Sequence, residues 1–162
     1  MSVDQYVYLR RDLLPSSSEW QKAVDEAGLE IKFDDFVIDR QTGFLPVIFK
    51  GSKSGFEFSV HNRDDGEDFD EIRVRVGERD TIAAFYTHSD LVEFVCAYCA
   101  AAVLAKLADG VYYDPQEGVI LSGQEALARI PSVLHDVKAD LISHKQRAQV
   151  DQPTRKWWQF WS

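Results

Sequence analysis

Residues 89–110, Ser89-Asp90-Leu91-Val92-Glu93-Phe94-Val95-Cys96-Ala97-Tyr98-Cys99-Ala100-Ala101-Ala102-Val103-Leu104-Ala105-Lys106-Leu107-Ala108-Asp109-Gly110, decide the fold. Ser89 has the acceptor of a helix N-cap, and Asp90 and Glu93 place negative charge where the helix dipole favours it. From Leu91 to Ala108 apolar residues occupy nearly every face, and Gly110 supplies a stop. A helix apolar all round belongs in the centre of a domain. Its alanines, Ala100, Ala101, Ala102 and Ala105, let a sheet approach closely. The apolar run closes at Glu93 and Lys106, so it is shorter than the roughly 20 residues a bilayer span needs.

The sequence on either side of this helix reads as strand. Upstream, Tyr6–Leu9, Leu29–Phe33 with Phe36–Ile38, Phe44–Phe49, Phe56–Val60, Ile72–Val76 and Thr81–Thr87 are rich in aromatic and β-branched residues, often alternating with polar ones. Pro46 points to an edge or bulge in its strand. Downstream, Val111–Tyr113 and Val119–Leu121 flank the turn Asp114-Pro115-Gln116-Glu117-Gly118. Ser16 with Glu19, and Ser122 with Glu125, have capping-box spacing. The first box opens a short helix through Trp20, Ala23, Val24 and Ala27 to Gly28. The second opens a C-terminal helix through Leu127, Ile130, Leu134, Val137 and Leu141, which Pro131 should kink or split. The expected fold is α+β: a mainly antiparallel sheet of five to seven strands, a central buried helix and a C-terminal helix. Residues 1–148 form the domain and residues 149–162 a polar linker with an aromatic tail.

At 162 residues one core suffices without disulfides or metals. The formal net charge of −9 repels nucleic acid and anionic lipid and suits a basic protein partner. The first residues, with Asp4, Arg10, Arg11 and Asp12, lack a signal-peptide core, so the expected location is the cytoplasm, with reduced cysteines.

Few residues point to chemistry. Cys96-Ala97-Tyr98-Cys99 matches C-x-x-C, but both thiols fall about two turns inside an apolar helix rather than at its N-terminus. Zinc would need two further ligands at suitable spacing. Two small core cysteines fit better. His61, His88, His135 and His144 are scattered, and neither Gly-x-Ser-x-Gly nor His-Glu-x-x-His occurs. No catalytic residue, metal ligand or cofactor is therefore expected. His88 stands where a strand meets a helix, so a small enzyme with a cleft near His88 and the acidic loop is the alternative.

Two segments point to partners. Asp64, Asp65, Glu67, Asp68, Asp70 and Glu71 place six carboxylates in eight positions, without the oxygen spacing of a calcium loop. They form a solvated loop, a patch for a basic partner or an adventitious cation site. Three of the four tryptophans lie in the last six residues, where Trp157, Trp158, Phe160 and Trp161 form an aromatic tail. It covers the chain's own apolar surface, docks on a partner or a second copy, or meets a membrane interface. An adaptor engaging a larger assembly through this tail is a further reading.

Three stretches together carry a resemblance: Tyr6–Trp20, the Ala-rich helix leading into Gly110-Val111-Tyr112-Tyr113-Asp114-Pro115-Gln116, and Lys156-Trp157-Trp158-Gln159-Phe160-Trp161. In these the chain resembles small bacterial proteins similar to the immunity proteins of polymorphic, contact-delivered toxin systems. That resemblance implies stoichiometric binding of a toxin, often over its active site. A basic toxin domain such as a nuclease would suit the acidic surface. No functional residue is carried over, because such interfaces differ between pairs.

Overall fold

In a computed structural model, residues 2–63 and 70–138 are described. Seven strands form one antiparallel sheet in the order β2-β3-β4-β5-β1-β6-β7. They are β1 (Val3–Leu9), β2 (Ile31–Phe33), β3 (Phe44–Phe49), β4 (Ser52–Asn62), β5 (Thr81–Thr87), β6 (Val111–Asp114) and β7 (Val119–Ser122). The helices are α1 (Ser17–Glu26), α2 (Asp70–Val76), α3 (Leu91–Leu107) and α4 (Gly123–Ala128), and Arg11–Leu13 make one 3-10 turn. All of these elements belong to a compact unit ending at Ile130. A second unit starts at Pro131, and its residues 131–138 are helical. Among the described residues no helix is long and apolar enough to cross a membrane.

The central helix is where the sequence places it. From Val95 to Ala105 every residue of α3 is buried, and the helix packs on β1, β4, β5 and β6. Its cap is Asp90 rather than Ser89: the Asp90 carboxylate accepts from the N–H groups of Val92 at 2.8 Å and Glu93 at 3.0 Å. A carboxylate makes charge-assisted bonds that a hydroxyl cannot. At the other end Asp109, not Gly110, takes the left-handed backbone, at φ 49°. Gly110 is required for a different reason. A Cβ there would stand 2.8 Å from the Tyr8 carbonyl oxygen, so only glycine lets α3 run this close to β1.

Three helices share the α3 face of the sheet. Trp20 of α1 is fully buried among Phe33, Phe58 and Phe85, with ring centroids 4.6, 5.3 and 6.1 Å away. Tyr98 of α3 donates its hydroxyl to the Ala126 carbonyl of α4 at 2.9 Å. Both capping boxes form, Ser16 with Glu19 and Ser122 with Glu125. Helix α4 stops at Ala128, and helical backbone resumes at residue 130, so the C-terminal helical stretch is split close to Pro131.

Two strand expectations fail. Phe36–Ile38 lie outside any strand, and β2 begins only at Ile31. Residues Ile72–Val76 are helical. Alternation at 72, 74 and 76 fits a strand, but Ile72 and Val76 also stand four apart on one side of a helix. Val74 decides between the two: it is 82% exposed while Ile72 and Val76 are buried. Asp70 and Glu71 in the first turn and Arg73 and Arg75 in the last match the helix dipole. Pro46 lies inside β3, where its missing N–H faces the flank beyond the last residue of β2; the Pro46 carbonyl on that flank accepts from Asp34 N–H at 3.4 Å.

Candidate functional site: the open face of the sheet

Among the described residues of the unit ending at Ile130, α1, α3 and α4 lie on one face of the sheet and only α2 on the other. Strand register sets what the second face carries, because residues directly opposite on neighbouring strands point the same way. One row across β3, β4, β5 and β1 is Phe44, Glu57, Tyr86 and Asp4. The next, across β4, β5, β1, β6 and β7, is Ser59, Ala84, Tyr6, Tyr113 and Ile120. The third is His61, Ile82, Tyr8, Val111 and Ser122.

Helix α2 closes the end of this face at the third row. Ile72 and Val76 bury themselves against Tyr8 and Val111, with Tyr6, Ile82, Tyr113 and Ile120 packed around that cluster. Beyond α2 the first two rows remain. Tyr6, Tyr86 and Tyr113 are partly exposed, and Phe44 is more than half exposed. Phe44 lies over Gly55, where a Cβ would stand 2.4 Å from its ring.

The tyrosines form a connected cluster. The Tyr6 and Tyr86 rings meet at 6.2 Å and 85°, Tyr6 and Tyr113 at 6.3 Å and 25°, and Tyr8 and Tyr113 at 6.4 Å. Partial burial, Tyr86 and the Asp4 carboxylate all push the Tyr6 hydroxyl upward, so it stays protonated across physiological pH. The Tyr6 side chain is thus a donor and an aromatic surface, not a base.

Tyr86 stands between two carboxylates, Asp4 in register on β1 and Glu57 in register on β4. Two strand spacings separate the acids, roughly 10 Å. His88 Nε2 lies 4.0 Å from Glu57 Oε2, and both side chains are well exposed. Among the described residues neither Asp4 nor Glu57 has a lysine or arginine partner within ion-pair distance.

The structure places the residues expected from sequence unevenly. Asp70 and Glu71 open α2, on the same face as the tyrosines, with Asp70 fully exposed and 3.6 Å from Arg73. Asp64, Asp65, Glu67 and Asp68, and the tail residues Trp157, Trp158, Phe160 and Trp161, lie outside the described residues. His88 is surface-exposed beside Glu57. Cys96 and Cys99 are fully buried in α3, and burial pushes both thiols up to about 12. Among the described residues no three His, Cys, Asp or Glu side chains group as a metal site.

Two open depressions flank α1, one around Gln21, Lys22 and Asp34, the other around Lys32 and Lys50; both include Asp25. A direct bond from Lys32 at 2.7 Å holds the Asp25 carboxyl below its usual range, so the acid that the two depressions share is already paired. The tyrosine cluster escapes sequence reading because its members are distant in the chain and only register unites them. The available signal was the Tyr6-Val7-Tyr8-Leu9 alternation, which puts two tyrosines opposite the core-facing residues.

No family model, curated protein or solved structure matches the chain.

Proposed function

We propose that this chain is a cytoplasmic, non-enzymatic binding protein that holds a basic protein partner against the open face of its sheet. The observation that carries the reading is the row Asp4–Tyr86–Glu57 with Tyr6 and Tyr113 beside it. Tyrosine supplies large, stiff contact area with a polar tip, and it is enriched among the residues that dominate protein interfaces. The flanking carboxylates and the net charge of −9 complement a basic surface and accelerate its approach. Asp70 and Glu71 at the start of α2 extend the acidic rim on the same side. Resemblance to toxin-system immunity proteins supports a specific form of this activity, stoichiometric neutralisation of a toxin by covering its working surface.

The test is site-specific photocrosslinking in the native host from a benzoylphenylalanine at position 86 or 44, against controls at Leu13 and Val37, which are exposed elsewhere. A basic protein joined from 86 and 44 but not from the controls is the expected result. Equal labelling from all four positions, or crosslinks only to a second copy of the chain, would overturn the reading.

A further inference from the structure

The tyrosine–carboxylate row specifies the partner's anchor. Resting on the binding role proposed above, we propose that Tyr86, Tyr6, Asp4 and Glu57 form a receptor for a guanidinium, so that the partner inserts an arginine side chain at this point.

The chemistry follows from the register. A cation settles over a tyrosine ring because the ring face is electron-rich, and a planar guanidinium stacks there better than an ammonium does. Tyr86 offers such a ring, and Tyr6 meets it nearly at right angles, at 85°, so the pair forms an aromatic corner rather than a flat stack. Asp4 and Glu57 flank Tyr86 in register from opposite sides. With roughly 10 Å between these strands, a cation over the ring has an acceptor on each side. Arginine has donors pointing outward in a rigid fork and can address both acids from one position, whereas lysine is a compact point charge. The charges match as well. The two acids face a neutral, protonated Tyr6, and the nearest cationic candidate is His88 beside Glu57, leaving Asp4 without one among the described residues.

Protein with labelled tyrosine rings would be titrated by NMR with N-acetylarginine amide, and in parallel with the citrulline and lysine analogues. Citrulline keeps the planar head but removes the charge; lysine keeps the charge but removes the plane. The expected result is saturable shifts of the Tyr86 and Tyr6 rings with the arginine compound, clearly smaller with lysine and absent with citrulline. In Asp4→Asn/Glu57→Gln the affinity should fall several-fold while the unliganded spectrum stays folded. Equal shifts with citrulline, equal affinity for lysine, shifts confined to other residues, or unchanged binding by the double variant would each overturn the receptor. The binding role would survive any of these if position 86 still crosslinks a basic protein, and it would fall separately if it does not.

Discussion

The indole N–H of Trp20 donates to the carbonyl of Ala100 at 3.1 Å, tying α1 to the middle of α3 across 80 residues of sequence. Both groups are buried, so this bond has no water to replace it. Trp20→Phe is therefore expected to cost about 1–3 kcal/mol: it removes a buried hydrogen bond, although the Ala100 carbonyl keeps its intrahelical partner, and the smaller ring leaves part of the indole's space unfilled. Trp20→Ala should cost about 3–5 kcal/mol, since it also empties the aromatic cluster with Phe33, Phe58 and Phe85. Urea unfolding followed by far-UV circular dichroism measures both.

The helical reading of Asp70–Val76 separates two neighbours that a strand would treat alike. Ile72→Ala should destabilise by about 2–4 kcal/mol, because Ile72 is buried against Tyr8 and Val111. Val74→Lys should change stability by less than about 0.5 kcal/mol, because Val74 is exposed. Comparable losses from both substitutions, in the same denaturation assay, would restore the strand.

That segment also shows what the sequence could and could not convey. Alternation located β2 and most of β4, runs of aromatic and β-branched residues bounded by turns located β1, β3, β5, β6 and β7, and the all-round apolar pattern located α3. Ile72, Val74 and Val76 satisfy both periods, and only the position of α2 over Tyr8 removes the ambiguity. Short-range chemistry was legible where both partners lie within one turn, as in the Ser16–Glu19 and Ser122–Glu125 boxes. The candidate site was not, because Asp4, Glu57 and Tyr86 become neighbours only through pairings of β1 and β4 with β5.

The two cysteines give a pH dependence with a definite sign. Burial raises both thiols from 9.0 to about 12, so folding favours the protonated form. The stability this contributes is whole below about pH 9 and declines as pH rises through 9 toward 12. Folded protein should therefore resist alkylation at pH 8 and react only on unfolding. Unfolding free energy of Cys96→Ala/Cys99→Ala should fall less steeply than wild type across that window. Parallel slopes, or rapid alkylation of the folded chain, would place the thiols nearer solvent than α3 allows.

Whether the open sheet face is a partner surface built around Tyr86 is decided by the affinity of Tyr86→Ala for the crosslinked partner. Tyr86 stands at the centre of the row rather than at its rim, so truncation should weaken binding by about 2 kcal/mol or more, roughly thirty-fold in Kd. The same loss should appear with Tyr113→Ala to a smaller degree, and both variants should unfold cooperatively like wild type. A Kd changed less than about two-fold in both variants, with the partner still bound one to one, would contradict the account.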